Sequence, residues 1–514
     1  MVEWRRAVRA VEEVEKMDQV RRLSVPYRFV ARWGLRLALI AALLGWSAPV
    51  HASGQVTDCS NDADFVSKLS GGGTVTFACG PATIVLGSPQ TITSNTKIDG
   101  GGLITLSGGS ARRLFVVNPG ARLELDNLVI QDGVSATGNG GAVLNLDTVS
   151  IFNSTFRNNQ AISGNGGAIY SNSHLAVSFS RFTGNQASNG GAIYSESSLS
   201  QLNMFTTTFD LNQATATGLS GLGGALVVTG TATANLVYAS FSQNTGRHGG
   251  AIAVMAGSLF FLNNSGLFGN QAGFGGDAGG GGIHEDLSSV SLTGDTLSGN
   301  TAGQGGAIDT FAGSLTLSGD TLSANTAAYG AGINIFLGTH SLTNVTLSGN
   351  AASSSAGGIY NGRGLLSLTN VTLAGNTAGF GETGGVENVG GGPDPTLNLK
   401  NVLLAAGATG ANCGFVVAPA SSDSNLSDDG SCGFGGGRDN VKLGLGPLGA
   451  NGGPTLTHLP VDGSPAVDQG TNSGCPAKDQ RGVTRPQGAA CDVGAVERVP
   501  GERGPWLQLP ILFR

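Results

Sequence analysis

Residues Gly164–Ser198 read GNGGAIYSNSHLAVSFSRFTGNQASNGGAIYSESS and contain the same short phrase twice. Gly-Gly-Ala-Ile-Tyr begins at Gly166 and begins again at Gly190, and a Phe-Thr-Gly-Asn sequence ending at Asn185 lies between the two copies. A phrase that recurs so soon is either a ligand loop used twice or a structural unit that must be stacked. The spacing of the phrase along the rest of the chain decides between these interpretations.

The apolar residue that closes each Gly-rich phrase, which we call the anchor, measures the period of the repeat. Anchors fall at Val143, Ile169, Ile193, Leu226, Ile252, Ile283, Ile308, Ile333, Ile359 and Val386. An independent series consists of an Asn three places after an aromatic residue or Leu: Asn159, Asn185, Asn212, Asn244, Asn270, Asn300, Asn325, Asn350 and Asn376. Most intervals in both series are 24 to 27 residues, and a constant period of this size is typical of stacked repeat architectures.

Each unit reads as two or three very short strands joined by tight corners. Between Leu366 and Leu373 apolar residues alternate with polar ones on both sides of a Thr-Asn pair, and a period of two is typical of a strand with one buried face. Such a unit cannot bury its inner face alone, so it must stack on its neighbours. The two longest intervals, which end at Leu226 and Ile283, predict loops that bulge from the stack.

The sequence therefore predicts an all-β fold, a parallel β-helix of about 10–13 turns whose neighbouring turns lie about 4.8 Å apart. Gly supplies the positive-φ corners that other residues resist. Asn at matching corners is expected to stack into a ladder of amide hydrogen bonds.

Residues 1–52 predict an export signal. An apolar run from Leu37 to Gly45 follows several arginines, and Val50-His-Ala52 offers small residues at the cleavage positions. The run is too short to span a bilayer of roughly 30 Å, so no transmembrane span is expected in the mature chain, with a retained signal anchor as the alternative. Met1 and Met17 both remain open as the true start.

The charge of the mature chain argues against a nucleic-acid partner. Residues 1–52 hold nine of the 27 Lys and Arg and five of the 34 Asp and Glu, so their removal leaves a net charge near −11. A protein that contacts phosphates needs a basic stripe, and five basic residues are scattered between residues 135 and 400. No cofactor is predicted.

The six cysteines fit an exported protein stapled by disulfides. The simplest of the 15 pairings that six cysteines allow joins near neighbours along the chain: Cys59 with Cys79, Cys413 with Cys432, and Cys475 with Cys491. Each loop of about 20 residues would contribute roughly 3 kcal/mol. The other pairings remain open.

Three parts of the chain resemble known protein families. The Gly-Gly-Ala-Ile and Phe-x-x-Asn phrases, over roughly residues 135–390, resemble the repeats of polymorphic outer-membrane proteins, which form right-handed parallel β-helices on bacterial surfaces. Residues 445–496, with Asn451-Gly-Gly-Pro-Thr-Leu-Thr-His and Cys491-Asp-Val-Gly-Ala-Val-Glu, resemble the choice-of-anchor Q domain of secreted bacterial β-helix proteins. The first turns, including Leu114-Phe-Val-Val, look like those of pectin-lyase-like helices. These resemblances imply that the predicted β-helix is a right-handed parallel β-helix (a pectin-lyase-like solenoid), and they imply export to the surface.

The predicted organisation has five parts. They are a signal peptide region (1–52), an N-terminal cap with the first turns (53–135), the repeat β-helix (136–404), a disulfide-containing region similar to choice-of-anchor Q (405–496) and a tail (497–514).

The residue after each anchor is expected to point outward, so these residues form one column that carries the candidate chemistry. The column reads Leu144, Tyr170, Tyr194, Val227, Ala253, His284, Asp309, Asn334, Tyr360 and Glu387. No catalytic residue is predicted. His284 and Asp309, on successive turns, could form an acid–base pair, but the favoured interpretation of a lone His–Asp pair is a solvated surface contact. Asp309 and Glu387 would lie about 14 Å apart, too far for the ~5–9.5 Å that separates glycosidase carboxylates.

Binding and metal chemistry have their own candidates in the sequence. Tyr170 and Tyr194, one turn apart, and Tyr360 further along form a candidate platform for sugar rings, with ordinary ladder packing as the alternative. Gly275-Gly-Asp277 is similar to a calcium-binding Gly-Asp repeat but occurs once, and calcium takes about six or more oxygen ligands. No metal site is predicted.

These observations favour an exported cell-surface or secreted protein with an adhesive or structural role. Surface glycans or other cell-surface proteins are the expected partners, and association with the outer membrane stays open. The alternative is a carbohydrate-active enzyme, either a polysaccharide lyase or a glycoside hydrolase, because the same fold hosts both.

Overall fold

The structure is a computed structural model that describes residues 54–216, 221–273, 278–379, 381–390 and 394–502. The predicted export signal with its two candidate starts, the segment Gly275–Asp277 and residues 503–514 of the predicted tail lie outside the described residues. Both predicted bulging loops also include residues outside these ranges, 217–220 and 274–277.

The largest sheet, which we call the first sheet, contains two rows of strands that follow one another within each turn. Row 1 consists of Gly54–Val56, Gly73–Phe77, Thr148–Phe152, His174–Ser178, Gln201–Phe205, Thr233–Val237, Leu259–Asn263, Ser289–Thr293, Ser314–Ser318, Thr339–Thr343, Leu365–Thr369, Thr396–Lys400 and Ser421–Asp423. Row 2 consists of Ala82–Val85, Thr155–Arg157, Arg181–Thr183, Thr208–Asp210, Ser240–Ser242, Gly266–Phe268, Thr296–Ser298, Thr321–Ser323, Thr346–Ser348, Thr372–Asn376, Leu403–Ala406 and Leu426–Ser427. Two long strands, Thr96–Ser107 and Arg122–Gln131, run through both rows.

The second sheet stacks thirteen strands in parallel. They are Gln90–Ile92, Phe115–Val117, Val143–Asn145, Ile169–Ser171, Ile193–Glu196, Leu226–Thr229, Ile252–Met255, Ile283–Asp286, Ile308–Thr310, Ile333–Ile335, Ile359–Asn361, Thr383–Asn388 and Ala411–Phe415. The chain between row 2 and this sheet forms short parallel pairings at Val134–Ser135, Gln160–Asn165, Gln186–Asn189, Gln213–Ala214, Thr326–Tyr329 and Ala351–Ser355. One helix, Ala63–Leu69, and one antiparallel pair, Leu445–Gly449 with Thr457–Pro460, complete the described elements.

The described chain is thus a parallel β-solenoid of about thirteen turns, as the repeat period predicted. All ten anchors lie in one column of the second sheet, each opposite the anchor of the next turn, and all of them are fully buried. No helix within the described ranges is long and apolar enough to cross a membrane.

The predicted Asn ladder is confirmed at every turn from Asn159 to Asn376. Within it, the Asn185 side-chain NH2 donates to Oδ1 of Asn212 at 3.0 Å, and the backbone N–H of Asn185 donates to the same oxygen at 3.1 Å. The Asn side chains of the ladder are buried, so they satisfy corner backbone groups that water does not reach. Beside the ladder, the rings of Phe156 and Phe182 stack 5.0 Å apart in the core.

A Gly-Gly pair forms the sharp corner before seven of the ten anchors, and before the last three anchors one glycine of the pair is replaced, by Ala331, Ala356 and Thr383 respectively. Gly166 has φ +69°, a left-handed conformation that residues with a Cβ resist. A Cβ on Gly167 would collide with the carbonyl oxygen of Gly191 in the next turn. The repeated phrase is therefore a structural unit, and the close stacking of turns explains why it keeps both glycines.

Residues 445–502, which we call the C-terminal segment, pack against the corner between rows 1 and 2. Asn344 donates its side-chain NH2 to the carbonyl oxygen of Lys478 at 2.8 Å, and Asn370 donates to that of Asp492 at 3.0 Å. This segment contains one of three disulfides, which join the cysteines in the predicted local pairs: Cys59–Cys79, Cys413–Cys432 and Cys475–Cys491.

Candidate functional site

The column of residues that follow the anchors lies on the outer side of the second sheet, in the predicted register. Tyr170 pairs with Tyr194, and His284 pairs with Asp309, which in turn pairs with Asn334. We call this row of residues, from Leu144 to Glu387, the outer column.

Several residues of the outer column are covered although they lie on the outer side of the sheet. Val227 and Ala253 are fully buried, and Asp309 and Asn334 are buried as well. The chain just before each Gly-Gly pair lies alongside the column, because the corner brings both to the same side of the turn. In this way Asn334 donates its side-chain NH2 to Oε1 of Gln304 at 3.3 Å.

The structure brings His284 and Asp309 together as the sequence predicted. Nδ1 of His284 lies 2.9 Å from Oδ2 of Asp309, and Asn334 donates to Oδ1 of the same carboxylate at 2.7 Å. The favoured interpretation of a solvated surface contact is wrong, since the two side chains are 12% and 11% exposed. The imidazole ring of His248 lies 5.1 Å from that of His284, and the two planes are tilted by 48°.

The electrostatics of this group follow from burial and charge. Burial by itself lowers the pKa of His284, but the hydrogen bond and the negative charge of Asp309 outweigh it and raise the pKa above its usual range. Burial raises the pKa of the neighbouring Glu285 to about 7, although the backbone N–H groups of Ser288 and Gly313 oppose the shift. Glu285 points inward and is fully buried, so it caps a turn and does not face the His–Asp pair.

Tyr170 and Tyr194 stack on one another in parallel. Their ring centroids are 5.8 Å apart and the planes differ by 9°. The hydroxyl of Tyr170 donates to Oε2 of Glu196 at 2.8 Å. Burial raises the pKa of Tyr194 to about 12, and burial with the bond to Glu196 raises that of Tyr170 further.

Tyr360 does not join the other two tyrosines, because six turns separate it from Tyr194 in the second sheet. Its ring meets Tyr329 edge to face, with centroids 6.0 Å apart. Burial raises the pKa of Tyr360, and the negative charge of Glu387 in the next turn adds to the effect. The register also keeps three turn intervals between Asp309 and Glu387.

The outer side of the second sheet carries a further group that sequence reasoning missed. The rings of Phe311 and Phe336 stack 5.1 Å apart with planes at 9°, and the two residues are 48% and 38% exposed. The guanidinium of Arg363 lies 5.2 Å from the centroid of the Phe336 ring. Each Phe follows its anchor by three places, so the same counting applied two residues further along would have found the stack, which we call the exposed aromatic stack.

The described residues contain no group of three or more His, Cys, Asp or Glu side chains placed to hold a metal ion. The larger of two described cavities, about 590 Å³, is lined by residues of the region 405–445. The smaller, about 290 Å³, lies within the C-terminal segment. Neither is lined by the outer column.

Comparison with known proteins supports the predicted similarity of the repeats to those of polymorphic membrane proteins. A family model described as the Chlamydia polymorphic membrane protein repeat matches residues 153–172 and 180–196. No curated protein matches the chain. A structural match is the crystal structure of pectate lyase Pel9A, which is 14% identical in sequence. The match covers 88% of this chain and 98% of the pectate lyase chain, with a TM-score of 0.26. The chain thus contains repeats similar to those of polymorphic membrane proteins.

Proposed function

We propose that this protein is exported and acts as an adhesive or structural β-solenoid at the cell surface or in the surrounding medium. The exposed aromatic stack of Phe311 and Phe336 carries the proposal, because stacked apolar rings left in water on adjacent turns of a rigid scaffold are typical of an interaction surface. Three disulfides support export, since they persist in oxidising compartments. The matched repeats support a surface role.

A surface glycan is the partner that this face fits best. Phe311 and Phe336 offer apolar surface, and the guanidinium of Arg363 places a polar, positively charged group beside the Phe336 ring. A few polar groups around aromatic side chains are the usual composition of a small-molecule site. Other cell-surface proteins are the competing partners.

The test is retention on a glycan array and on intact cell surfaces. We expect Phe311→Ser and Phe336→Ser each to weaken retention at least fivefold, because an aromatic contact contributes roughly 1 kcal/mol or more. Phe261→Ser is the matched control, since Phe261 is also 38% exposed but lies on the first sheet. Unchanged retention in both variants on the second sheet would contradict the proposal.

The tyrosine platform predicted from sequence is tested in the same experiment. Tyr170→Ala and Tyr194→Ala are expected to affect folding more than binding, because both tyrosines are partly buried, whereas Phe311 and Phe336 are exposed. Loss of retention in the tyrosine variants alone would move the binding site to that pair.

A carbohydrate-active enzyme is the second candidate, and the His284–Asp309 hydrogen bond favours it. A carboxylate that orients an imidazole is a common acid–base arrangement. If the chain cleaves a polysaccharide, His284→Ala and Asp309→Ala are expected to abolish the release of reducing ends while leaving retention nearly unchanged. Cleavage that survives both substitutions would remove this pair from the chemistry.

A further inference from the structure

Four aromatic side chains form an exposed strip along the corner between rows 1 and 2 of the first sheet. Phe152, Phe179, Phe205 and Tyr238, which we call the aromatic strip, lie on four successive turns and are 41% to 50% exposed. Neighbouring rings meet edge to face with centroids 5.6, 5.4 and 5.7 Å apart. A contiguous exposed patch of this kind on a soluble domain marks a contact surface.

Two residues of the aromatic strip have an unusual backbone conformation. Phe179 and Tyr238 have φ of 51° and 55°, a left-handed conformation that bulky residues rarely adopt. Asn127 and Asn153 hold the same corner in the two preceding turns, as expected from the tolerance of Asn for this region. Phe179 and Tyr238 therefore occupy a backbone conformation that their residue types disfavour, which indicates that their rings have a function at this corner.

The same corner is already covered further along the solenoid. In later turns the corner residues are Gly294, Gly319, Asn344 and Asn370, and the C-terminal segment packs on all four. The covering begins at Pro454, which lies beside Gly294. Two turn intervals, with Asn264 between them, separate Gly294 from the strip residue Tyr238.

The described chain ends at the side of the C-terminal segment that faces the strip. The carboxylate of Glu502 binds Arg481 at 2.5 Å, and Arg481 donates to the carbonyl oxygen of Asn451 at 3.0 Å. Asn451 is three residues from Pro454, the point at which the covering begins. From this place the far end of the strip is five turn intervals away, or about 24 Å. Twelve residues follow Glu502, and an extended chain of that length reaches about 40 Å.

The chemistry of those twelve residues matches the strip. Residues 503–514 read RGPWLQLPILFR, with one Trp, one Phe, three Leu and one Ile between two arginines and no acidic residue. Two prolines favour an extended backbone that lacks two N–H donors. We propose that residues 503–514 pack on the aromatic strip and so continue the path of the C-terminal segment along the corner.

The chain contains its own probe for this contact. Three of its four tryptophans, Trp4, Trp33 and Trp46, precede residue 53, and the fourth is Trp506. In the full chain carrying Phe at the first three positions, the fluorescence of Trp506 alone is measured, with acrylamide as the quencher. We expect a blue-shifted emission and a quenching constant at least threefold below that of a free tryptophan derivative.

Substitutions in the aromatic strip then show whether Trp506 contacts the strip or another surface. Phe179→Asn with Phe205→Ser uses residues that the same two columns already hold at neighbouring turns, Asn153 and Ser178. We expect this double variant to raise the quenching constant of Trp506 at least threefold. Phe336→Ser, an equally exposed aromatic on the second sheet, is the control and is expected to change nothing.

Three results would overturn the proposal. The first is free quenching of Trp506 in the chain with an intact aromatic strip. The second is a shielded Trp506 whose quenching constant does not change in the double variant. The third is shielding that depends on protein concentration, which would place the contact between two copies of the chain. If the double variant loses its β-sheet circular dichroism, truncation after Glu502 replaces it. The truncated chain is expected to bind a hydrophobic dye at least threefold more than the full chain, and equal dye binding would also contradict the proposal.

Discussion

At the scale of single residues, Asn325 shows what one rung of the ladder contributes. Its Oδ1 accepts from the backbone N–H and the side-chain NH2 of Asn300 at 2.9 and 3.0 Å, and its own NH2 donates to Asn350 at 2.9 Å. Asn325→Leu is expected to lower the free energy of unfolding by about 2–4 kcal/mol, because each buried group left without a partner costs about 1–3 kcal/mol. Urea denaturation measures the change.

The matched control is the same substitution on the outer surface. Asn235 lies mid-strand in row 1 and makes one side-chain bond, to Asn203 at 3.2 Å. Asn235→Leu is expected to change the free energy of unfolding by less than about 0.5 kcal/mol. Equal losses at the two positions would show that the ladder is not what makes Asn325 important.

The residues that sequence reasoning found are those that belong to a phrase recurring once in every turn. Asn325 and His284 were predictable because the period alone places them on known sides of a turn. Phe179 was not, because a residue in the left-handed corner belongs to neither strand and falls outside the alternation of period two. The burial of Asp309 was not predicted for another reason. The alternation of apolar and polar residues indicates on which side of a strand a residue lies, but not whether another part of the chain covers that side.

At the scale of one structural element, two carboxylates lie on adjacent turns at the start of row 2. Oδ1 of Asp295 accepts from the backbone N–H of Ser265 at 2.6 Å, and the N–H of Asp295 donates to Oδ1 of Asp320 at 2.7 Å. Burial raises the pKa of Asp295 to about 7, and burial together with the charge of Asp295 raises the pKa of Asp320.

This pair makes stability depend on pH. An unfolded Asp has a pKa near 3.9, so between about pH 4 and pH 7 the folded chain holds protons that the unfolded chain has released. Stability is therefore expected to fall as pH rises through this window. Asp295→Asn should flatten the fall in Tm measured by calorimetry from pH 5 to 8.

The chain itself indicates that Asn is tolerated at this position. Asn425 occupies the equivalent place four turns beyond Asp320, and its Oδ1 accepts from the backbone N–H of Val402 at 2.8 Å. The substitution thus keeps one hydrogen bond and removes the buried charge. A Tm that falls as steeply in the variant as in the wild type would assign the pH dependence to other groups, such as Glu285.

At the scale of the whole molecule, the C-terminal segment ties several turns together. Gln480 donates to the carbonyl oxygen of Asp320 at 3.0 Å and accepts from the hydroxyl of Thr346 at 2.6 Å. Gln480→Leu leaves these buried groups unpaired, so limited proteolysis within residues 445–502 is expected to accelerate at least tenfold. Gln487→Leu is the control, because Gln487 is exposed and its side chain donates to the carbonyl oxygen of the nearby Thr484. Equal proteolysis of both variants would contradict this role.

The solenoid was predictable from sequence at this scale, whereas the packing of the C-terminal segment was not. Repeats place each contact about one period away along the chain, and a constant period reveals such contacts directly. The hydrogen bonds of Gln480 reach residues that are 134 and 160 positions away along the chain, and no local sequence pattern predicts a contact over such a separation. The function of the outer faces was also left open, because the repeat fixes where a side chain points and not what it binds.

The central claim is that the outer side of the second sheet binds a surface partner and does not cleave it. The most direct measurement is the chain length of an immobilised polysaccharide over time, on whichever glycan retains the wild-type protein. The account predicts retention that depends on Phe311 and Phe336, with a polymer length that stays constant. Shortening of the polymer that His284→Ala abolishes would contradict it, as would a wild-type protein that no glycan or cell surface retains.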